Sequence, residues 1–376
     1  MDKGAAPRIL LSAGEPSGDL HGAKVVRALL QRFPAATIDA VGGPLMAEAG
    51  ASLVCSIDVL SALGLVEVAG HLPTHVRLYR RLKRKLAAGS YDLVIPIDYP
   101  GFNLWISRAA NAAGVPVLYY IAPQLWAWRP GRAKRFAAVV DRMAVILPFE
   151  ERFFNQVGLR ATFVGHPLLD GDPWPTRSQA RAALGVSDGE RVLALFPGSR
   201  QGEIARHWPM FRDAALRLLE QGRCNRVVAG AMEWGAYPNP GPVEILRGRP
   251  IHLLAAADAA VAKSGTTTLQ AAVSETPMVV AYRTNAINAF LARRLITVEW
   301  LSLVNLIAGR TVVPELLQEA LTEDRLVAEL EPLLTTDSPA RREQLEGLQL
   351  VRDRLGRPGA AERVVDLAQE VVPAWR

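Results

Sequence analysis

Apolar, β-branched runs alternate along the first half of the chain with segments whose apolar residues recur every three or four positions. The runs at 8–13, 37–41, 91–97, 115–120, 142–147 and 161–164 lack the polar alternation of a half-solvated strand, which predicts strands of a parallel sheet covered on both faces. Between them, 19–33, 72–88 and 104–113 carry the 3.6-residue period of crossover helices. A second series follows, with strands at 191–196, 225–229, 259–262 and 278–282 and helices at 204–220 and 267–274. This order predicts an α/β protein of two doubly wound, Rossmann-like domains that face one another across a cleft.

Turn formers mark the break between the two series. Gly165-His166-Pro167 and then Asp170-Gly-Asp-Pro-Trp-Pro-Thr-Arg177 place a linker there, giving domains at 1–165 and 166–357. Asp170-Gly-Asp172 imitates a metal-binding Asp-x-Asp, but its place in the linker reads as a loop. The stretch 230–250, with Pro238, Pro240 and Pro242, cannot carry a crossover helix, and its path is left open. The closing segment, about 358–376, is helical in pattern at 360–369 and is free to pack back on the first domain.

Composition narrows the class. A chain of 376 residues that is 50% hydrophobic and 21% charged can bury two cores and is not a disordered tail. Cys55 and Cys224, far apart, offer neither a disulfide framework nor a metal cluster, which fits a reducing, cytoplasmic compartment. No uninterrupted apolar run reaches the roughly 18 to 20 residues of a spanning helix. The net charge of +6 attracts anions: nucleotide phosphates, nucleic acid or an acidic membrane. Arg77, Arg80, Arg81, Lys83, Arg84 and Lys85 crowd one segment in which Leu72, Tyr79, Leu82 and Leu86 keep helical spacing, a basic amphipathic helix suited to a membrane surface.

Candidate chemistry is sought where parallel strands end, because free helix amides collect there. After the first strand, the stretch 13–22 has neither dinucleotide nor ATPase glycine spacing and holds two carboxylates, Glu15 and Asp19. Asp19 is equally well placed to cap the first helix. Asp98 follows an apolar strand, where desolvation would raise its pKa and suit it to act as a general base. Trp126, Trp128 and Arg129 offer a platform for a sugar ring or acyl chain. In the second series, Gly198, Ser199 and Arg200 follow one strand and Ser264, Gly265 and Thr266 another. Both turns suit phosphate, although capping alone would explain the hydroxyls of the second.

Together these motifs resemble those of the lipid-A-disaccharide synthase family, inverting glycosyltransferases of the two-domain B type. The resemblance runs over nearly the whole chain. It is carried by Ala13-Gly-Glu-Pro-Ser-Gly-Asp19, Gly64-Leu-Val-Glu-Val68, Ile97-Asp-Tyr-Pro-Gly-Phe-Asn103, Leu125-Trp-Ala-Trp-Arg129, Leu147-Pro-Phe-Glu150, Phe163-Val-Gly-His166, Pro197-Gly-Ser-Arg200, Ser264-Gly-Thr266, Pro277-Met-Val-Val280 and Val304-Asn-Leu-Ile-Ala-Gly-Arg310.

The resemblance implies transfer of 2,3-diacylglucosamine from UDP to the 6-hydroxyl of 2,3-diacylglucosamine 1-phosphate at the inner face of the cytoplasmic membrane. No cofactor, metal or nucleic acid takes part. It implies Asp98 as base with Glu15 and Asp19 beside it. UDP would lie at Gly198, Ser199, Arg200, Ser264, Gly265 and Thr266, with Asn305 and Gln318 near the nucleotide and Gln270 at the ribose. Gln270 stands where the family usually has a glutamate, and a neutral amide loses charge-assisted strength there. Ser17, Asn103, Trp126, Trp128 and Arg129, with the apolar Leu65, Val66, Val68 and Leu72, would take the acceptor and its acyl chains. Members of the family can form dimers by exchanging C-terminal segments, so the resemblance makes a homodimer possible, though nothing in the spacing demonstrates it. Another B-type enzyme acting on UDP-sugars, such as an epimerase or a peptidoglycan transferase, and a non-catalytic UDP- or lipid-binding relative are the alternatives.

Overall fold

The computed structural model describes residues 6–59 and 68–375, with the side chains of 68–72, 286–287 and 291–293 outside that description. Leu65 and Val66 therefore lie outside the described residues, and Val68 and Leu72 are described by their backbone alone. The chain divides into two compact units, Met1–Gly171 with Leu355–Arg376, and Asp172–Arg354.

The first unit is built on β1 (Arg8–Ser12), β2 (Thr37–Gly42), β3 (Ser52–Ser56), β4 (Leu93–Pro96), β5 (Leu118–Tyr120), β6 (Arg142–Val145) and β7 (Ala161–Phe163). The order β3-β2-β1-β4 continues into β5-β6-β7 through single parallel bridges, Val94 to Val117 and Ile97 to Tyr120. Every ladder is parallel. Alternate side chains leave opposite faces of a strand. Accordingly Ile9, Leu11, Leu93 and Ile95 join one core with Val364 and Val365, while Leu10 and Val94 join the other with Leu82 and Phe102. Burial on both faces is why these strands read as unbroken apolar runs.

The second unit repeats the plan with β8 (Val192–Phe196), β9 (Arg226–Ala231), β10 (Glu244–Arg247), β11 (Ala259–Lys263), β12 (Met278–Tyr282) and β13 (Glu315–Leu317), in parallel order β10-β9-β8-β11-β12-β13. The proline-rich stretch crosses from β9 to β10 as a packed loop in place of a helix. Tyr237 meets Trp208 edge-on at 5.2 Å, and its hydroxyl accepts from the Met232 amide at 3.0 Å. The Trp208 indole donates to the Pro238 carbonyl at 2.8 Å.

The boundary lies after Gly171 rather than after 165, and the return crossing at Leu355 rather than at 358, because both stretches are tied to the first unit. The Asp170 carboxylate accepts from the amides of Gly359 (2.7 Å), Ala360 (3.0 Å) and Ala361 (3.4 Å), which are first-turn donors of the helix Ala360–Val371. That helix packs on Pro16–Arg32. Arg363 donates to the Val164 carbonyl at 2.8 Å, and the His166 amide to that of Leu355 at 2.9 Å. Among the described residues no helix is long and apolar enough to cross a membrane. A carboxylate on free helix amides gains both hydrogen bonds and the helix dipole. Asp170→Ala should therefore cost about 1–3 kcal/mol in urea denaturation and raise amide exchange first in 360–371.

Candidate functional site

In the first unit the strand order reverses between β1 and β4, so the loops after them diverge and leave the carboxyl ends open. Asn103, fully buried, pins those ends together. Its Nδ2 donates to the carbonyls of Ser12 (3.0 Å), Ile97 (3.2 Å) and Asp98 (2.7 Å), and its Oδ1 accepts from the Ser12 hydroxyl at 2.6 Å. This clamp holds a strained turn. Asp98 and Tyr99 have φ of 46° and 49°, a left-handed pair that costs roughly 1–2 kcal/mol per residue away from glycine. The Tyr119 hydroxyl donates to the Asp98 carbonyl at 2.6 Å, and the Asp98 amide to the Tyr120 carbonyl at 3.0 Å, so the turn is overdetermined. Tyr99 lies flat on Gly14, where a β-carbon would come within 2.2 Å of the ring, and its hydroxyl meets His75 Nε2 at 3.1 Å.

The turn sets Asp98 in the lining of a cavity of about 390 Å³, among Trp105, Arg108, Trp128, Arg132 and Arg135. Burial pushes its carboxyl up to about 6; the Tyr99 amide opposes that shift and the charge of Glu15 adds to it. Glu15 and Ser17 are exposed where Pro16–Arg32 begins and do not line this cavity. Trp128, 41% exposed, gives the cavity an aromatic wall, and Arg129 stacks over its ring at 4.6 Å.

Three residues expected at this site are buried and hydrogen-bonded within the framework. Asp19, 2% exposed, does not cap its own helix. It accepts from the amides of Gly43 (2.7 Å), Leu45 (3.1 Å) and Met46 (3.1 Å) and so seats the helix Pro44–Glu48. Asn103, fully buried, spends its amide hydrogens on the three carbonyls of the clamp. Trp126 is buried edge-on against Phe149 at 4.8 Å, and its indole donates to Glu150 Oε1 at 2.9 Å. Sequence reasoning gave Glu150 no role. Burial raises this carboxyl to about 7 even though the Trp126 indole and the Leu147 amide donate to it, and Asp98 is near enough to raise it further. Its signal was an acid at the third helical position directly beyond an apolar strand.

The second unit reverses its strand order between β8 and β11, and a cavity of about 430 Å³ opens there. Gly198, Ser199, Ser264, Gly265, Thr266 and Gln270 all line it. No side chain caps Thr266–Val273, whose N-terminus therefore meets the cavity with free amides. The Ser264 hydroxyl bonds the Leu301 carbonyl at 3.3 Å, and that of Thr268, behind the lining, bonds the Gly265 carbonyl at 2.7 Å. Lys263 and Trp234, 65% exposed, also line the cavity and were missed in the sequence; an aromatic on a glycine-rich loop after β9 was the available sign for the second.

The turn after β8 already holds an acid. Glu203 accepts from the Ser199 amide at 3.2 Å and from Lys263 Nζ at 3.0 Å. Gly198 permits this, with φ of 137° and space for no β-carbon, which would lie 2.6 Å from Glu203 Cβ. Arg200 does not line the cavity; its side chain is 83% exposed and lies 3.8 Å from Glu203. Asn305 is buried, donating to Val313 O (2.9 Å) and Glu315 (2.8 Å) and accepting from the amides of Val312 and Val313, and it does not line this cavity. Gln318, at φ 52°, accepts from the Thr284 amide at 3.2 Å and lines a separate apolar cavity with Tyr282 and Trp300.

Two parallel sheets of this order, each with its loops gathered at the reversal, define the B-type glycosyltransferase fold. Two solved structures share it at identities that speak for fold alone. The glycotransferase of kitacinnamycin superposes with a TM-score of 0.63 at 19% identity, covering 98% of this chain and 100% of that one. A UDP-GlcNAc 2-epimerase from Neisseria meningitidis, bound to UDP-GlcNAc, gives 0.62 at 12%, covering 96% and 100%. A lipid-A-disaccharide synthase of Syntrophus aciditrophicus (strain SB) is 42% identical over 376 residues, 97% of each chain. The chain belongs to the lipid-A-disaccharide synthetase family, whose model matches residues 9–363. It is a glycosyltransferase that forms the lipid A disaccharide.

The acid at the β8 turn has a measurable signature. Burial works against the Glu203 carboxylate, but Lys263 and the amides of Ser199 and Arg200 outweigh it and hold its pKa below the ordinary value. Its stabilisation is then complete above the unfolded value near 4.5 and is lost as pH falls through the lower folded value. Glu203→Gln should lower urea stability by about 1–3 kcal/mol at pH 7, with the gap to the parent chain closing on acidification.

Proposed function

We propose that the first unit holds 2,3-diacylglucosamine 1-phosphate and the second holds UDP-2,3-diacylglucosamine. In a single in-line displacement, the acceptor 6-oxygen forms a β bond to the donor's anomeric carbon as the bond from that carbon to the UDP oxygen breaks. The hydroxyl proton passes to Asp98, and UDP leaves with the bonding pair. The observation that carries this reading is Asp98 itself: a carboxylate held in a strained, clamped turn, half-desolvated, in the lining of a cavity walled by tryptophan and arginine.

For the leaving group, the uncapped amides of Thr266–Val273 offer partial positive charge where the diphosphate gains negative charge. Gly198 and Ser199 bring backbone close on the other side, and Lys263, next to both turns and paired with Glu203, adds an ammonium donor. Gln270 lines the same cavity and suits a ribose hydroxyl through its amide. Arg200, exposed and only loosely tied to Glu203, is free to swing onto a bound phosphate.

Both substrates are lipids, which calls for a membrane-facing surface. The helix Val68–Ala87 buries Leu78, Leu82 and Leu86 and leaves Arg77, Arg80, Arg81, Lys83 and Arg84 exposed, while Lys85 pairs with Asp39 at 2.8 Å. Such a basic face draws a peripheral enzyme to anionic lipid.

Incubation with both substrates, followed by mass spectrometry of the lipid phase, should yield the disaccharide 1-phosphate and UDP; UDP-sugar consumption without that product would reject the reading. Asp98→Asn should cut kcat by about 10²–10⁴ and leave UDP affinity unchanged in calorimetry. A base works only when deprotonated, so turnover of the parent enzyme should fall as pH drops through about 6. Turnover that stays flat down to pH 5 would remove Asp98 from the role. Replacing Arg80, Lys83 and Arg84 with glutamine should reduce sedimentation with phosphatidylglycerol vesicles at low salt, and the difference should shrink as salt screens the parent chain.

A further inference from the structure

The cavity that holds Asp98 carries more positive charge than proton abstraction requires. Arg108 comes from the helix Pro100–Ala112, Arg132 from the turn Pro130–Arg132, and Arg135 from the short helix Ala133–Ala137. Among the described residues none of the three guanidinium groups makes an ion pair or a side-chain hydrogen bond. By contrast, Arg8 pairs with Asp92 at 2.5 Å and Arg142 with Glu370 at 3.1 Å. Three unpaired like charges on one cavity wall repel one another, and the arrangement becomes favourable when an anion of more than one charge sits among them. Planar guanidinium forks match the oxygens of a phosphate, and the face of Trp128 beside them suits a pyranose ring.

From this we infer that Arg108, Arg132 and Arg135 form the subsite for the phosphomonoester of the acceptor sugar. The inference rests on the proposed function and goes one step past it. The donor's diphosphate has its own site in the second unit, so an anion in the cavity that Asp98 lines belongs to the molecule Asp98 deprotonates. The acceptor differs from the transferred sugar by one group, the phosphate on its anomeric carbon, which bears about −1.5 to −2 charges at pH 7. Arginines that grip this group select the phosphorylated monosaccharide. They also orient its ring so that the hydroxyl at the opposite end of the sugar addresses the carboxylate.

The test compares detergent-solubilised 2,3-diacylglucosamine 1-phosphate with unphosphorylated 2,3-diacylglucosamine, first in equilibrium binding read from tryptophan emission, then as acceptors in turnover. The parent enzyme should prefer the phosphorylated acceptor by about 10²-fold in Kd and in kcat/KM, and Arg132→Gln with Arg135→Gln should collapse that preference to a few-fold. Lysine at both positions should restore part of it. A double variant that loses affinity for both lipids alike, keeping their ratio, would overturn the assignment and leave the arginines a structural role. So would a variant that keeps the ratio but no longer sediments with phosphatidylglycerol vesicles, since the charges would then serve membrane headgroups. The binding arm needs no turnover, so it decides the subsite even if no disaccharide forms. Disaccharide made equally well from both acceptors would sink the subsite and leave the proposed function standing.

Discussion

The reversal of strand order, β1 against β4 and β8 against β11, is the constraint on which both candidate sites depend. A parallel sheet sends each strand into a helix, and where successive connections leave in opposite directions the sheet cannot close over its own carboxyl ends. Backbone amides and carbonyls there have to be met by side chains or by ligands. The two units meet that demand in opposite ways. The first closes the gap with Asn103, whose amide claims three carbonyls and frees the next turn to carry an acid. The second leaves it lined with small residues and an uncapped helix start, a place for negative charge to arrive from outside.

Those solutions have different electrostatic characters. Around Asp98, burial and the charge of Glu15 act toward holding a proton, and Asp98 in turn raises the buried Glu150. Around Glu203, Lys263 and backbone amides outweigh burial and favour the ionised form. One acid is poised to exchange a proton near neutrality, and the other is a permanent counter-charge that fixes a lysine between two glycine-containing turns.

Much of the architecture was legible in the sequence because its central strands are covered on both faces, which leaves unbroken apolar runs such as those of β1, β4 and β8. The edge strands β3 and β10 gave no such run, since both keep exposed positions and mix polar with apolar residues, and β13 is only three residues long. Motif position located both cavities, yet it could not say which polar residue of a motif faces inward. Asp19 and Asp98 both follow apolar strands, but three amides of a neighbouring helix claim the first, and a left-handed turn delivers the second. Asn305 makes its hydrogen bonds within its own loop. The arginines of 108, 132 and 135 were invisible for a different reason: exposed basic residues on three separate elements share no sequence pattern, and only tertiary packing gathers them around one cavity.

The return of the last helix to the first unit has a consequence for the order in which the protein is made. The stretch Asp172–Arg354 is an insertion between two parts of one core, contiguous in synthesis and able to close as soon as it leaves the ribosome. Its host must wait, because Val364 and Val365 fill a core begun by Ile9 and Leu11. The nascent chain thus holds a half-finished apolar face through nearly two hundred residues of translation, and chaperone demand should concentrate on the amino-terminal half until Ala360–Val371 emerges.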